Sequence, residues 1–336
     1  MKQENNLPTM KDVAKEAGVS VSAVSRYFND GYLSADKREK IEAALERTGY
    51  MPSYSARTMR TKVTKLVGVI LPKLSSESIS RITEGISEVL GEEGFELLLI
   101  NTANDCSREI SSLELFRQNR VDGVILLASV FTELHRSLLS KMRVPAVIVG
   151  QKLKGFNCVC HNDFGAAYAM TKLMLDKGAV RPGFIGANPD DNAAGRDRRI
   201  GFEKALADAG IPVQEQLMEI AKFSIDSGYE KAKHLFSGRH KPDALFCATD
   251  NIAAGAMLWC REHSIRIPED VMIGGIGDSR MGKLLYVPLS SVHLHYKTAG
   301  MEGARMLLSE MRDGSEVRRI LQLEYDVIER ESTMRI

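Results

Sequence analysis

Apolar and polar residues repeat with helical spacing near the start of the chain. Thr9, followed three residues later by Asp12, matches the capping box that begins a helix. Val13, Ala14 and Ala17 then share one side of that helix. The pattern predicts a short amphipathic helix that buries this side.

A turn and a second short helix are predicted next. Gly18 permits the turn, and Ser20 can cap a helix in which Val21 and Val24 lie three residues apart. Two such helices around a Gly-containing turn are typical of a helix-turn-helix, whose second helix enters the DNA major groove. An ordinary antiparallel helix pair fits the same pattern and stays open at this point.

A third helix and a short basic segment complete the N-terminal region. Ser34 can cap a helix that runs to about Thr48 and ends at Gly49. The segment 50–60 then carries Pro52 near its start and is too short to be a stable helix in isolation. It either folds on DNA or serves as a plain linker. We therefore predict a helix-turn-helix headpiece at 1–50 and a hinge helix with linker at 51–64.

Continuous apolar runs replace the helical pattern after Lys65, and helix-length amphipathic segments separate them. This alternation is typical of parallel sheets that are buried on both faces. The sequence therefore predicts an α/β core of two doubly wound parallel-sheet subdomains. We assign 65–160 and 290–316 to the first subdomain, and 161–289 and 317–336 to the second. The predicted strands are 66–72, 95–101, 121–129 and 144–150, then 157–163, 181–187, 244–250 and 271–277.

Composition and charge agree with a multidomain globular protein that binds nucleic acid at one end. The chain has 336 residues, of which 44% are hydrophobic and 6% aromatic. Residues 1–65 carry 12 Lys and Arg against 8 Asp and Glu, although the whole chain has a net charge of only +1. A basic head on a slightly acidic body suits a DNA-binding protein, but an excess this small is also compatible with chance.

Several other classes of protein are disfavoured. The five cysteines are scattered, which favours reduced thiols in the cytoplasm, and neither a signal-peptide core nor a membrane span is evident. The phosphate loop, the zinc-protease motif and the nucleophile elbow are missing, so we expect no enzymatic activity. The histidines are spread out, and we expect no metal site and no cofactor.

Polar residues follow the predicted strands, where the carboxyl ends of parallel strands form a ligand cleft. Each of them is individually also compatible with an ordinary loop residue or helix cap. Their convergence on one predicted cleft indicates a small-molecule site. The residues concerned include Lys73, Asn101, Gln151, the segment 188–198, Thr249, Asp250 and Asp278.

The order of headpiece, hinge and two-part core resembles the lac repressor family of bacterial transcription regulators. The most specific pieces are TMKDVAKEAGVSVSAVSR, the hinge YMPSYSARTMR, ATDNIAAGA and IPEDVMIGGIGD. Within the family, the chain is most similar to the trehalose operon repressor branch, which includes regulators of sucrose genes. The resemblance implies a periplasmic-binding-protein-like core and a cytoplasmic, homodimeric repressor of sugar-utilisation genes.

The resemblance also implies which residues contact operator DNA. Val21, Ser22 and Arg26 would read bases, and Met59 would be wedged between base pairs in the minor groove. Arg57 and Arg60 would supply charge near the phosphates. The remaining implied contacts are Thr9, Ser20, Ser25, Asn29, Tyr50, Ser53, Ser55 and Ala56.

The effector contacts that the resemblance implies are polar residues of the cleft and one aromatic residue. Arg198 and Lys73 would give the cleft two cations and fewer carboxylates, which favours an anionic ligand such as trehalose 6-phosphate. Phe223 would support a sugar ring, although it is equally compatible with a core aromatic residue. The full implied set is Lys73, Gln151, Lys154, Arg198, Phe223, Thr249, Asp250 and Asp278.

Overall fold

The structure is a computed structural model that describes residues 8–28, 31–50, 63–119, 121–128, 130–314 and 317–335. The chain divides into two compact units, Met1–Thr64 and Lys65–Ile336. Each unit has its own hydrophobic core and is described by itself. The predicted headpiece lies in the first unit and the predicted α/β core in the second.

The first unit forms three helices in its described residues, and their predicted starts are confirmed. The N–H and the hydroxyl of Thr9 donate to the Asp12 carboxylate at 2.8 and 2.7 Å. Ser20 accepts from the N–H of Ala23 at 3.2 Å and caps the second helix. The helices are α1 (Met10–Glu16), α2 (Val21–Tyr27) and α3 (Ala35–Thr48).

Two glycines shape the headpiece, and a small core holds it together. Gly18 and Gly49 have positive φ angles of 64° and 63°, which glycine adopts without steric cost where a helix must end. Val13, Val24 and Ile41, one from each helix, are fully buried against one another. The predicted hinge at 51–62 lies outside the described residues.

The described part of the second unit contains two six-stranded sheets. The first sheet has the order β11-β5-β4-β3-β1-β2 and is parallel throughout, while the second has the order β12-β10-β9-β8-β6-β7 with β12 antiparallel to β10. We call each sheet with its helices a lobe. The strands are β1 (Leu66–Leu71), β2 (Glu96–Asn101), β3 (Gly123–Leu126), β4 (Ala146–Val149), β5 (Asn157–His161), β6 (Pro182–Gly186), β7 (Met218–Ile220), β8 (Ala244–Cys247), β9 (Met272–Ile276), β10 (Ser290–Leu294), β11 (Ile320–Leu323) and β12 (Tyr325–Ile328).

Helices cover both faces of each sheet, as the continuous apolar strands predict. On β4, Val147 and Val149 pack into one core cluster and Ile148 into another on the opposite face. The helices are α4 (Glu77–Glu92), α5 (Cys106–Gln118), α6 (Glu133–Ser140), α7 (Asp163–Asp176), α8 (Arg198–Asp208), α9 (Ile225–Ser237), α10 (Asp250–Glu262) and α11 (Tyr296–Asp313). In the described residues, none of the helices is both long and apolar enough to cross a membrane.

The strands near the lobe boundaries correct the predicted subdomain limits. β5 pairs with β4 in the first sheet, which agrees with the predicted limit 65–160, although its strand was listed above with the later series. β10, assigned above to the first subdomain, pairs with β9 in the second sheet, and β11 pairs with β5 in the first. Local periodicity does not encode these pairings, because the partners are far apart in sequence.

The described chain passes between the lobes at three points, which we call the crossovers. They lie at Asn162, between β5 and α7; at His295, between β10 and α11; and at Glu324, between β11 and β12. The side-chain amide of Asn162 donates to Glu324 at 3.0 Å, and a ring nitrogen of His295 lies 3.4 Å from the Asp326 carboxylate. The crossovers are therefore tied to one another by polar contacts.

Candidate ligand-binding cleft and headpiece surface

A cavity of about 210 Å³ lies at the carboxyl ends of the strands, where loops of both lobes meet. We call it the cleft. Its location agrees with the topology predicted for two doubly wound lobes. Most of the sequence-predicted ligand contacts line it, namely Lys73, Gln151, Arg198, Phe223, Thr249 and Asp250.

Arg198 is bound by partners inside the second lobe. Its Nε and Nη2 donate to the Asp163 carboxylate at 2.9 and 2.7 Å, and its Nη1 donates to the carbonyl oxygen of Ala248. Burial disfavours the guanidinium charge, but the Asp163 carboxylate outweighs burial and raises the pKa of Arg198 above its usual range. The charge of Arg198 is therefore balanced within the protein.

Asp191 lies in the polar segment 188–198 after β6, but the sequence did not single it out as a ligand contact. Its Oδ1 accepts from the N–H groups of Ala193 and Ala194 at 3.0 and 2.9 Å, and from Nε2 of Gln151 at 3.0 Å. Burial raises the pKa of Asp191 to about 6, against the opposing effects of these backbone bonds and of Arg198. Asp191 caps a π-helical turn (Asn192–Asp197), which has no simple sequence period.

Thr249 and Asp250 begin α10 directly after β8. The Thr249 hydroxyl accepts from the N–H of Ile252 at 3.4 Å, as in a helix cap. The Asp250 carboxylate accepts from the N–H of Ser279 and from the hydroxyl of Ser291, both at 2.6 Å. Burial raises the pKa of Asp250, and the bonds from Ser279 and Ser291 limit that rise. Asp250 therefore organises the neighbouring loops as well as lining the cleft.

Asp278 and Lys154 do not line the cleft, which corrects their predicted roles. The backbone turns at Asp278 with a φ of 44°, and the carboxylate accepts from Arg330 and lies 3.1 Å from Nδ1 of His293. Lys283 approaches the same carboxylate at 3.3 Å. Lys154 is exposed on a loop. Asp278 is therefore occupied by an ion-pair network, and Lys154 is exposed outside the lining of the cleft.

Arg81, His161 and Tyr296 line the cleft, although the sequence analysis did not select them as contacts. His161 is the last residue of β5 and Tyr296 the first of α11, so each lies next to a crossover. The only available signal was the position of His161 at the end of an apolar strand. Arg81 lies one turn into α4, where a polar residue is expected on any exposed helix face.

Hydrogen bonds join the two lobes across the cleft. Nε2 of Gln151 reaches Asp191, and Nη1 of Arg81 donates to the carbonyl oxygen of Gly277 at 3.2 Å. The N–H of Arg280 donates to the Glu77 carboxylate, also at 3.2 Å. A molecule in the cleft would contact groups that hold the lobes together, which links its binding to lobe closure.

The charge balance of the cleft differs from the expected excess of cations. Its described lining contains the carboxylates Glu77, Asp163, Asp191 and Asp250 and the cations Lys73, Arg81 and Arg198. The described lining therefore has no excess of cations. Lys73 and Arg81 flank Ser75, Ser76 and Ser78 at the start of α4, whereas the carboxylates other than Glu77 belong to the second lobe.

On the headpiece, α2 buries one side and exposes the other. Ala23 and Val24 are buried, whereas Val21, Ser22 and Arg26 are exposed. Among the other predicted DNA contacts, Thr9 and Ser20 are exposed, and Ser25 and Tyr50 are half-buried. Those that lie outside the described residues are Asn29, Ser53, Ser55, Ala56, Arg57, Met59 and Arg60.

Comparisons with known proteins identify related sequences for both units. A family described as "Bacterial regulatory proteins, lacI family" matches residues 9–53, and one described as "Periplasmic binding protein-like domain" matches residues 171–333. The HTH-type transcriptional regulator RegA of Clostridium saccharobutylicum is 31% identical over 97% of this chain and 99% of its own length.

Two solved structures share the fold over nearly the whole chain. A complex of the transcriptional regulator CelR with cellobiose is 27% identical, with a TM-score of 0.76 over 97% of this chain and 99% of that chain. A lac repressor dimer bound to operator and the anti-inducer ONPF is 22% identical, with a TM-score of 0.88 over 98% and 99% of the two chains. The second similarity concerns the fold alone.

Proposed function

Because this chain belongs to the lacI family of bacterial regulatory proteins and is a DNA-binding transcriptional regulator, we propose that it represses sugar-utilisation genes in the cytoplasm. Two copies would bind the operator as a homodimer, one headpiece on each half-site. A sugar or sugar phosphate in the cleft would set the affinity for operator DNA. Trehalose 6-phosphate and sucrose-type disaccharides are the candidate effectors.

The hydrogen bonds across the cleft are the observation that supports the proposed ligand response. Gln151 to Asp191 and Arg81 to Gly277 each connect one lobe with the other beside the cavity. A ligand that replaces or strengthens these bonds favours one lobe arrangement over another. A difference of a few kcal/mol between the two arrangements is enough to switch operator binding.

The chemistry of the cleft supports a hydroxyl-rich ligand with an optional anionic end. Asp191 and Asp250 lie in the lining contributed by the second lobe, and carboxylates suit sugar hydroxyls as partners. Lys73 and Arg81, at the start of α4, would suit a phosphate. The half-buried ring of Phe223 offers an apolar surface for a sugar ring. The similarity to CelR, which was solved with cellobiose, also favours a disaccharide.

Base readout is proposed for the exposed side of α2. Arg26 can form two hydrogen bonds to one guanine, and Val21, which is 42% exposed, can contact a thymine methyl group. Replacing Arg26 with lysine keeps the charge but removes the two-bond geometry. The residues proposed for the hinge extend this readout into the minor groove.

The edge of the first sheet supports the proposed homodimer. β2 is the edge strand, and Leu98 and Leu99 on it are 44% and 43% exposed. An exposed apolar edge strand tends to pair with another chain. A second copy of this chain would cover it. Leu98→Glu should shift the protein toward monomer in analytical ultracentrifugation, and an unchanged dimer would exclude this surface.

The effector proposal is tested with a thermal-shift panel of trehalose, sucrose, cellobiose and their 6-phosphates. An effector at 100 times its Kd stabilises the core by about 2.7 kcal/mol. An operator obtained by selection from random duplexes then shows in gel shifts whether the same sugar releases or strengthens binding. If no panel member gives a thermal shift and none releases or strengthens operator binding, the sugar proposal is wrong. The DNA-binding function is then unaffected.

The readout proposal is tested on that selected operator with Arg26→Ala and Arg26→Lys. Loss of a two-bond contact to guanine costs about 1–3 kcal/mol of discrimination at that base. Both variants should lose preference for this base, and Arg26→Lys should retain the salt dependence of the parent protein. Unchanged base preference in both variants would show that Arg26 does not read this base.

A further inference from the structure

His161 has a buried ring nitrogen that no other described group satisfies. The residue is 5% exposed, it lines the cleft, and its Nε2 has no hydrogen-bond partner in the described part of the chain. Buried polar atoms are almost always paired, because an unpaired one loses its hydration without compensation. An unpaired acceptor or donor at the wall of a cavity therefore points to a partner that enters the cavity.

The orientation of the ring is fixed by its other contacts. The ring of Tyr296 packs edge to face against it, with centroids 5.1 Å apart and an interplanar angle of 74°. The backbone of His295 lies beside the ring and opposes the fall of its pKa. The ring is thus packed in place at the cleft wall.

Electrostatics keep the ring of His161 neutral. Burial lowers the pKa of His161, the Asp163 carboxylate opposes this shift, and Arg198 adds to it. The ring is therefore neutral near neutral pH. A neutral imidazole with its proton on Nδ1 carries a lone pair on Nε2, which needs a donor.

Trp259 shows what the same feature means away from a cavity. Its Nε1 is also buried without a partner among the described residues, but its ring is stacked between Phe236 and His263 in the core of the second lobe. No cleft residue is in these contacts. The unpaired nitrogen of Trp259 is therefore a feature of core packing, and it provides a control for the one at His161.

We propose that Nε2 of His161 accepts a hydrogen bond from a hydroxyl group of the effector sugar and selects ligands that present a hydroxyl there. This inference rests on the proposed function, in that the cleft binds the sugar that controls operator affinity. The contact also lies beside two crossovers, because Asn162 follows His161 and the backbone of His295 lies beside the ring. A sugar held at Nε2 would therefore lie next to two of the connections between the lobes.

The test uses the full-length protein, the thermal-shift panel described above and two variants of His161. His161→Phe keeps a ring against Tyr296 but removes the acceptor, and His161→Gln supplies a new one. For the panel sugar that stabilises the parent protein, His161→Phe should weaken binding at least about tenfold, and His161→Gln should recover part of that loss. Trp259→Phe should leave the affinity unchanged.

Deoxy analogues of that sugar give a second measurement that does not depend on how well the variants fold. One deoxy analogue should bind the parent protein at least about tenfold more weakly, yet bind His161→Phe as well as the full sugar does. Equal affinity of the full sugar for the parent protein and for His161→Phe overturns the inference and leaves the proposed function in place. If no panel sugar stabilises the parent protein, the proposal of a sugar effector and this inference are both overturned, while the DNA-binding function stands.

Discussion

The strand ends of the two lobes meet at the same cleft, but their polar side chains are in different states. In the second lobe the charged groups are already bonded internally: Arg198 to Asp163, Asp250 to two serines, and Asp278 to Arg330. In the first lobe, Lys73 forms no ion pair with another described residue, and Nε2 of His161 has no partner there. The second lobe thus supplies a preorganised wall, whereas the first lobe supplies Lys73 and His161 as open contacts beside the groups that bond across the cleft.

This difference shows that a charged residue in a cleft is not automatically a ligand contact. A buried charge is tolerated only when partners compensate for its desolvation, so many buried charges serve the fold first. Residues of the second lobe should accordingly affect stability when they are changed. Residues of the first lobe should affect ligand affinity with little change in stability.

The largest effect is expected from Arg198→Ala. The substitution leaves the Asp163 carboxylate buried without its cation, and such a loss typically costs about 3–5 kcal/mol of unfolding free energy. Chemical denaturation monitored by fluorescence measures it. Arg199→Ala is the matched control, because Arg199 forms a partly exposed pair with Glu203 in the same helix, and its loss should cost at most about 1 kcal/mol. Equal denaturation midpoints for the two variants would contradict a structural role for Arg198.

Asp191 should make stability depend on pH in the direction opposite to an ordinary ion-paired aspartate. Its pKa of about 6 in the folded protein exceeds the value of 3.8 for an unperturbed aspartate. The unfolded chain therefore loses this proton first, and stability falls as the pH rises from about 4 to about 6. A shift of about two units corresponds to about 3 kcal/mol.

Asp191→Asn isolates this dependence, because the amide oxygen can accept the same bonds from Ala193, Ala194 and Gln151. Unfolding free energies measured between about pH 4 and pH 7 should fall by about 3 kcal/mol more in the parent protein than in the variant. Parallel curves for the two proteins would show that Asp191 does not carry the raised pKa.

A smaller loss, about 2 kcal/mol, is expected from Asp278→Asn. Burial alone would raise the pKa of Asp278, but Arg330, then His293 and Lys283, outweigh it and hold the pKa below its usual value. Neutralising the carboxylate removes these charge-assisted bonds. Asparagine tolerates the φ of 44°, so the backbone should keep its conformation. Denaturation curves should shift, whereas ligand-induced stabilisation should not. If the variant loses its ligand response at unchanged stability, Asp278 is a ligand contact after all.

Much of the fold was predictable from the sequence, because local patterns determine it. Three local patterns each specify an element without reference to distant residues. They are the capping box at Thr9, Gly49 at the end of a helix, and the continuous apolar runs of β1 and β9. Short edge strands escaped this reasoning. β7 has three residues and β11 alternates exposed and half-buried positions, so neither produces a strong apolar run.

The cleft was predictable in location but not in the state of its side chains. The strand order correctly placed Lys73 and Gln151 at the carboxyl ends of strands in the first sheet, where the cleft lies. Whether a charge is already bonded depends on partners far away in sequence, such as Asp163, 35 residues before Arg198, or Arg330, 52 residues after Asp278. His161 was missed for the same reason. Its significance lies in a buried ring nitrogen without a partner, which is a property of the folded lobes and not of the local sequence.

The smallest effect on stability, and the sharpest test of the open wall, is expected from Lys73→Met. Lys73 is half-buried at the cleft and pairs with no described carboxylate, so methionine should change the unfolding free energy by no more than about 0.5 kcal/mol. The variant should bind a 6-phosphorylated sugar several-fold more weakly but the unphosphorylated sugar as the parent does, because only the phosphate needs the ammonium group. Lys154→Met is the control, since Lys154 is exposed and outside the cleft, and it should alter neither affinity. Isothermal titration with both sugars separates the outcomes: an equal loss for both sugars in Lys73→Met would mean that Lys73 supports the cleft wall, and the first lobe would then resemble the second.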